Sequence, residues 1–503
     1  MIELLSLSLT PLLALLLVLF VTVTFKRRQK NLAPGPFPFP ILGNLVQMAW
    51  INPIEPQIAF AKLGEKYGNI MSIQLGSVYS VVLNSFEVME EYLTKPEFSD
   101  RYFNSWMSER TFGKRLGVIV SEYPSPWQQL RRFSHRTLKE FGFGKRNKMH
   151  PIIQAELEEV VRDLKERIEE SDGVLTVDGY FTISALNLVW SILAGKRYEH
   201  CDPKLLRLNK VVKEFFSSSN TSTNILFAYP EWRNWFPDWT GMTLLRNCYR
   251  ETNSFFQEII EERKDLGVYK TMPENLIDEF LHEIESSGSN DDIIFTEQQL
   301  VGIMSDFFLA GSETSSNTLA YCILYLMVNP QAQEKLQREI DAVLPHGFFP
   351  SAEHEPLLHY ARATLAETHR MGSVFPLMGP RTNTEDTFCG KFFIPKGTYI
   401  IANIHKINYD ETYWKDPKSF RPERFIDENG HFKTDPRLKP FGFGKRACLG
   451  ESMASMSLLH SLVVLMQNFT FRPVPNEPLP SVEPVNGITN GPQVYRALVE
   501  CRG

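Results

Sequence analysis

The chain is poor in cysteine and spaces it widely. Its 503 residues hold six, at Cys201, Cys248, Cys322, Cys389, Cys448 and Cys501. No CxxC pair and no run of Cys and His with zinc-finger spacing occurs, which argues against a linear zinc motif and a disulfide framework. Reduced thiols in a cytosolic setting are expected instead. Excess positive charge is also missing: 53 Lys and Arg stand against 59 Asp and Glu, a formal charge of -6, so nothing marks nucleic acid as a partner. No internal repeat is present. Aromatic residues, by contrast, are plentiful, at 12% with 36 phenylalanines. They point to a large apolar interior and to an apolar ligand. The remaining composition is ordinary for a globular chain.

One long apolar run exists, over residues 4–25. It is long enough to cross a bilayer core of ~30 Å at ~1.5 Å per residue, and membrane helices tolerate its Pro11. Glu3, the length of the run and the lack of a small-residue cleavage site argue against a secretory signal. Lys26, Arg27, Arg28 and Lys30 follow it and keep that flank in the cytoplasm. The predicted partition is a transmembrane anchor over 1–25, a basic flank and proline-rich strut over 26–45, and a cytosolic domain over 46–503. In the strut, alternating prolines from Pro34 to Pro40 stiffen the chain toward polyproline II. On that topology the Asn-x-Ser/Thr triplets at Asn220 and Asn468 stay unglycosylated.

The spacing predicts a helix over 56–67, strands over 70–75 and 78–83 joined at Gly76-Ser77, and a helix over 86–94. Residues 102–124 carry no period and read as a long loop. Trp127 opens a helix rich in bases: Arg131, Arg132, Arg136 and Lys139, then Lys145, Arg146 and Lys148. A basic face this lopsided in an acidic chain suits an acidic partner. Several helices follow over 151–285, with an exposed one over 156–170. The aromatic-rich stretch 227–239 reads either as core or as an apolar lid on the membrane.

The longest helix is expected from Thr296 to Asn329. Thr296 with Gln299 forms a capping box, Phe295 with Leu300 a hydrophobic staple, and Pro330 ends it. It is apolar nearly all round and therefore buried. Its middle breaks that pattern with Ala310-Gly311-Ser312-Glu313-Thr314-Ser315. Glycine there costs ~1 kcal/mol relative to alanine, and a buried acid and alcohol need partners. The Thr314 hydroxyl competes for the Ala310 carbonyl and bends the helix. The bend opens a small pocket into which Glu313 and Thr314 supply protons. Asp306, on the same helix, reads as half of a structural pair. Farther on come helices over 332–343 and 360–371. The second carries Glu367 and Arg370, which in isolation would be a surface pair worth ~0.2–0.5 kcal/mol. Strands over 387–394 and 398–402 follow, then Pro422-Glu423-Arg424-Phe425.

Near the end stands Phe441-Gly442-Phe443-Gly444-Lys445-Arg446-Ala447-Cys448-Leu449-Gly450, followed by an apolar helix over 453–466. A cysteine held by glycines at the mouth of a helix reads either as a small buried hydrophobe or as a sulfur ligand. Set beside a buried acid–alcohol pair, it meets the needs of a single-thiolate haem site. Backbone N–H groups would tune the sulfur, and the thiolate would push electrons toward O–O cleavage, which consumes protons.

The stretch fits Phe-x-x-Gly-x-Arg-x-Cys-x-Gly and resembles the haem-binding signature of the cytochrome P450 monooxygenases. Ala310-Gly311-x-Glu313-Thr314, Glu367-x-x-Arg370, Pro422-Glu423-Arg424-Phe425 and Trp127-x-x-x-Arg131 stand in the family's order. The anchor and strut look like animal microsomal members, closest to the drug- and steroid-metabolising group, with Ala33 where relatives usually have a proline. The resemblance implies a mainly α fold with a small β region, and haem b between the long helix and the Cys448 loop. It implies Cys448 as iron ligand, and Trp127, Arg131, Arg446, Arg381 and Arg101 at the haem propionates. Thr314 and Glu313 would handle protons and oxygen, while Glu367, Arg370 and Arg424 would form a structural network. Substrate contacts are expected from the 102–124 loop and from Phe307, Ala310, Val374, Leu377 and Ile488. The implied reaction inserts one atom of O2 into a lipophilic substrate: a steroid, fatty acid, terpenoid or xenobiotic. Electrons would come from NADPH through NADPH-cytochrome P450 reductase, with cytochrome b5 as a further donor, at the endoplasmic reticulum membrane. The alternatives are a haem-thiolate isomerase or dehydratase acting on a peroxide, and a non-catalytic haem sensor.

Overall fold

The computed structural model describes residues 31–142, 146–177, 179–218, 228–287 and 294–502. The expected anchor over 4–25 lies outside these residues, as do Asn220 and Lys145. Among the described residues no helix is long and apolar enough to cross a membrane. The helices of eight or more residues are α1 (Pro56–Tyr67), α2 (Phe86–Leu93), α3 (Trp127–Phe141), α4 (Arg146–Glu170), α5 (Thr182–Leu193), α6 (Pro203–Ser218), α7 (Met242–Leu266), α8 (Leu276–Ser286), α9 (Glu297–Val328), α10 (Pro330–Val343), α11 (His359–Gly372) and α12 (Glu451–Asn468). The strands are β1 (Ile70–Leu75), β2 (Val78–Leu83), β3 (Val174–Val177), β4 (Arg381–Thr382), β5 (Thr387–Cys389), β6 (Phe392–Ile394), β7 (Tyr399–Ala402), β8 (Phe469–Arg472), β9 (Pro484–Val485), β10 (Gly491–Pro492) and β11 (Tyr495–Cys501). The expected class, mainly α with a small β region, is the one observed.

Helix α9 starts where its cap predicts, with the Thr296 side chain accepting a hydrogen bond from the Gln299 N–H. Pro330 opens α10 directly after it. Along α9, buried residues run from Gln299 to Asp306 and again from Ser316 to Met327. The helix packs against α5, α11 and α12. Rings of Trp190, Phe255, Phe256 and Phe308 meet where α5, α7 and α9 converge, at centroid distances of 5.5–6.0 Å. Offset and edge contacts of this kind are worth about 0.5–1.5 kcal/mol each beyond the area they bury.

The main sheet has the order β1-β2-β7-β4. The predicted β1–β2 hairpin pairs Ile70 with Leu83 through Leu75 with Val78. Strand β7 lies parallel to β2, and β4 pairs Arg381 with Ile400, so the sheet edge places Arg381 in the interior.

Three sequence expectations change. Residues 387–394 are not one strand: β5 and β6 form a hairpin about Gly390, whose φ is 61°. The 102–124 loop contains a short helix, Ser105–Ser108, and a 3-10 turn, Glu109–Thr111. The 156–170 part of α4 is not simply exposed. Leu157, Val160 and Leu164 are buried, and Glu156 is buried against Arg197 (2.7 Å) and His200 (2.6 Å). The alternating charges there conceal an apolar stripe at helical spacing.

Candidate active site

The Cys448 loop is built by backbone. Gly442 and Gly444 both take positive φ. A Cβ on Gly444 would stand 2.5 Å from the Leu93 carbonyl oxygen, so the loop closes against the end of α2 only with glycine there. The Cys448 N–H donates to Phe441 O at 2.8 Å. Beyond it, Gly450 caps α12. On balance the Cys448 thiol is raised: burial pushes it up and the charge of Glu451 adds to this, while the Gly450 N–H, the charge of Arg131 and the Glu451 N–H offset part of it. The side chain nonetheless has open surface. Close surroundings with an open face describe an internal hollow. The thiols of Cys248, Cys322 and Cys389 are pushed by burial to about 11, 12 and 12, and Cys201 and Cys501 are exposed. Among the described cysteines, Cys448 best combines an open face with groups that favour a thiolate.

Beside it lies a cluster of cations. Arg131, on α3, donates to Ala447 O at 2.8 Å and lies over the Trp127 ring at 5.6 Å. Arg101 donates to Gly379 O at 2.7 Å, and Arg381 to Phe443 O at 2.6 Å and Leu93 O at 3.1 Å. Burial pulls Arg101 down to about 10, with further depression from Arg131 and partial relief from Asp100. Arg381 is driven down by burial and by Arg101 and Arg131. Arginine keeps its proton in proteins, so these directions register an electrostatic cost that a bound anion would relieve. The Nε atoms of Arg101 and Arg381 are both buried without a hydrogen-bond partner.

Arg446 is placed differently. Burial and then Arg101 pull it down to about 8. Its guanidinium donates to Ser99 O (2.7 Å), Val118 O (3.2 Å), Ile119 O (3.4 Å) and Ser121 O (2.6 Å), and it packs over Trp127 at 4.3 Å. Here it ties the Cys448 loop to the 99–121 segment. Asp100 joins the same knot through Arg115 at 2.7 Å. Asp306 makes the structural pair expected of it, with Arg110 at 2.5 Å, and also accepts from Val118 N (2.6 Å) and Ile119 N (2.8 Å). Those carbonyl and amide partners belong to backbone, so residue types carried no signal of them.

The middle of α9 is open where its two ends are buried. Ala310 is exposed, and Phe307, Gly311, Glu313 and Thr314 are half-buried. The helix is therefore not buried throughout: its middle turns keep accessible surface. The Thr314 hydroxyl donates to Ala310 O at 2.7 Å, the competing bond foreseen from its sequence position. Gly311 has a reason that the sequence hid: a Cβ there would lie 2.5 Å from Cγ2 of Val189 on α5. Glu313 accepts from Asn317 Nδ2 at 3.4 Å, and the same nitrogen reaches Asn490 O at 3.3 Å. Asn490 N–H in turn donates to Val374 O at 2.8 Å. This chain of contacts brings the tail near Ile488 to Val374, and Leu377 bridges Asn403 alongside. Phe307 and Ile488 both pack against the core that includes Phe308. Asn317 and Asn490 escaped sequence reading because each lies in an unremarkable polar position.

Glu367 and Arg370 are far from a surface pair, since both side chains are fully buried. Arg370 Nε and Nη2 meet the two Glu367 oxygens at 2.7 and 2.8 Å, and Nη1 reaches Asn408 O and Pro417 O. Arg424 Nε adds a bond to Glu367 at 3.2 Å. Trp414 and Phe425 close over this corner.

The residues around the hollow fit a large anionic cofactor held by sulfur: an open thiol, buried cations short of anions, and an opened helix. Comparison with known proteins agrees. The family model described as "Cytochrome P450" matches residues 33–499. Farnesoate epoxidase of Bombyx mori is 33% identical over 465 residues, covering 92% of each chain. Human cytochrome P450 2J2 is 35% identical over 463 residues, covering 91% of this chain and 89% of the relative. Cytochrome P450 2L1 of Panulirus argus is 30% identical over 449 residues, covering 88% and 90%. The chain belongs to the cytochrome P450 family and is a haem monooxygenase of the animal microsomal type. Family membership implies haem on a cysteine thiolate and the use of O2.

Proposed function

We propose that Cys448 is the haem ligand of a membrane-seated monooxygenase that oxidises a lipophilic substrate with NADPH-derived electrons. The observation that carries this reading is the open thiol of Cys448 beside the under-neutralised arginines. Bound haem would supply activation of O2, one atom entering the substrate and the other leaving as water. Arg101, Arg131 and Arg381 would hold the anionic edge of the cofactor, with Trp127 as the platform under Arg131 and Arg446. Gly450 N–H and Glu451 N–H would hold the sulfur in its charged form. The Thr314 hydroxyl, released from Ala310 O, would pass protons into the hollow, with Glu313 behind it.

Exposed Arg132, Arg136, Lys139 and Lys148 give α3 and the start of α4 a basic face. Such a face suits an acidic NADPH-cytochrome P450 reductase, with cytochrome b5 as a further donor. Membrane seating at the endoplasmic reticulum draws support from the 4–25 run and from an exposed apolar rim. Ile41, Trp50, Trp235 and Trp239 are each at least two-thirds exposed, and the Tyr229 hydroxyl donates to Ile41 O, joining the two stretches. The substrate reading is lipid-like: a terpenoid, fatty acid or steroid, with xenobiotics also accommodated. The silkworm relative is named for epoxidation of farnesoate, which lends weight to an unsaturated isoprenoid.

The test is reconstitution of the full chain with reductase, NADPH and a panel of such lipids. Oxygen and NADPH consumption that depends on the lipid, with an oxygenated product, is expected. Rearrangement of a lipid peroxide without NADPH or O2 would replace this reading with that of an isomerase.

A further inference from the structure

Away from the hollow, three side chains from separate segments meet. His150 stands near the start of α4, Glu355 opens the 3-10 turn Glu355–Leu357, and His460 lies midway along α12. Nε2 of His460 is 3.1 Å and Nε2 of His150 is 3.4 Å from the same atom, Glu355 Oε1. One ligand atom from each of the three lies within 4.8 Å of the others. The rings sit edge to face, their centroids 4.6 Å apart and their planes at 84°. All three side chains are largely buried, at 17%, 12% and 3% exposure.

We propose that His150, Glu355 and His460 form a site for one divalent transition-metal ion of the zinc class. Two imidazoles and a carboxylate are a donor set that suits such an ion, with a fourth position left for water. Ligands at about 2.0–2.1 Å from a tetrahedral ion stand roughly 3.3 Å apart, close to the two separations to Oε1. The three donor atoms all lie within 4.8 Å of one another, so side-chain adjustment has to bring the two imidazoles closer together around an ion. Burial pulls Arg362 down and the nearby charge of Glu355 offsets part of this, so a cation competes with an ion for that carboxylate. The ion would clasp α4 and the 355–357 turn onto α12, the helix that continues directly from the Cys448 loop. Glu355 and His460 are 105 residues apart and His150 is farther still, so no linear motif announces the site. The proposal does not depend on the substrate or on any residue of the haem pocket.

The experiment uses full-chain, haem-loaded protein stripped with a chelator and titrated with zinc sulfate against a chromophoric competitor. Wild type is expected to take up one equivalent more tightly than His150→Gln or Glu355→Gln, by at least tenfold. Its thermal midpoint should rise with that equivalent, and the rise should vanish in both variants. The carbon monoxide difference band of each variant confirms that it is folded. Equal zinc affinity in wild type and both folded variants, or no retained equivalent in wild type, would overturn the proposal. His460→Gln is the third arm; because His460 is the most buried of the three, the two more accessible positions decide the result if it fails to fold.

Discussion

Glu367, Arg370 and Arg424 make a buried cluster in which every cation has close acceptors: two carboxylate oxygens and the carbonyls of Asn408 and Pro417, with others around Trp414. Arg101, Arg131, Arg381 and Arg446 make another, in which Arg131 depresses Arg101 and Arg381, Arg101 depresses Arg381 and Arg446, and Asp100 is the carboxylate that offsets part of this. Both lie inside the same fold and both contain arginines held by backbone carbonyls. The first is complete as folded. The second is short of negative charge, which an anionic partner would supply. A buried cation carries a large desolvation cost unless it is paired, so the deficit is what the proposed cofactor site would need, and a paired cluster needs no partner.

Four experiments break or sharpen that contrast. The largest effect is expected from Cys448→Ser, which removes the ligand and leaves the cations in place. Reduced protein with carbon monoxide should lose the red-shifted Soret band entirely, and turnover with it; a normal band would end the ligand assignment. Next is Glu367→Gln, which leaves two buried guanidinium groups without their anion. Breaking such a pair costs about 3–5 kcal/mol, read as a lowered denaturation midpoint with or without haem. An unchanged midpoint would erase the distinction between the clusters. Arg381→Met should do the reverse. Relief of repulsion with Arg101 and Arg131 leaves the haem-free protein as stable as before or more so, while haem dissociation rises roughly tenfold, about 1.4 kcal/mol. A destabilised haem-free protein with unaltered haem retention would place Arg381 among the structural group. The smallest structural effect belongs to Thr314→Ala, which removes one hydroxyl bond from a half-buried position. Thermal stability should move by about 1 kcal/mol or less, yet peroxide released per NADPH should increase. Unchanged coupling would mean that protons enter by another route.

Much of this architecture was legible in order. The β1–β2 hairpin was readable because β-rich runs flank a Gly-Ser turn, and α9 because Thr296 and Pro330 bracket it. The open middle of α9 was readable as a clash between apolar periodicity and the Glu313-Thr314 pair. Other features were not. Gly311 looked like a flaw in a helix and proves also to be the point where Val189 approaches. Arg446 reads as a partner for an anion, and nothing in the residue types showed that its donors also reach four carbonyls, with Asp100 at 3.6 Å. Glu367 and Arg370 taken alone read as an exposed i, i+3 pair; the family resemblance made them a structural network with Arg424, and their full burial is seen only in the fold. Each of these depends on backbone or side chains arriving from elsewhere in the chain.

By itself, then, the sequence determined the chemistry: a cysteine in a glycine-held loop, an acid and alcohol within a helix, and a family signature spread along the chain. The first two are local, because loop closure and helix capping depend on residues a few positions apart, and the signature is a series of such local pieces. Tertiary structure decided which charges are satisfied and which are not. It also brought His150, Glu355 and His460 together in a chain whose linear order shows no zinc motif. Charge pairing and ligand convergence act over a few ångströms of space, and only packing of distant segments sets those distances.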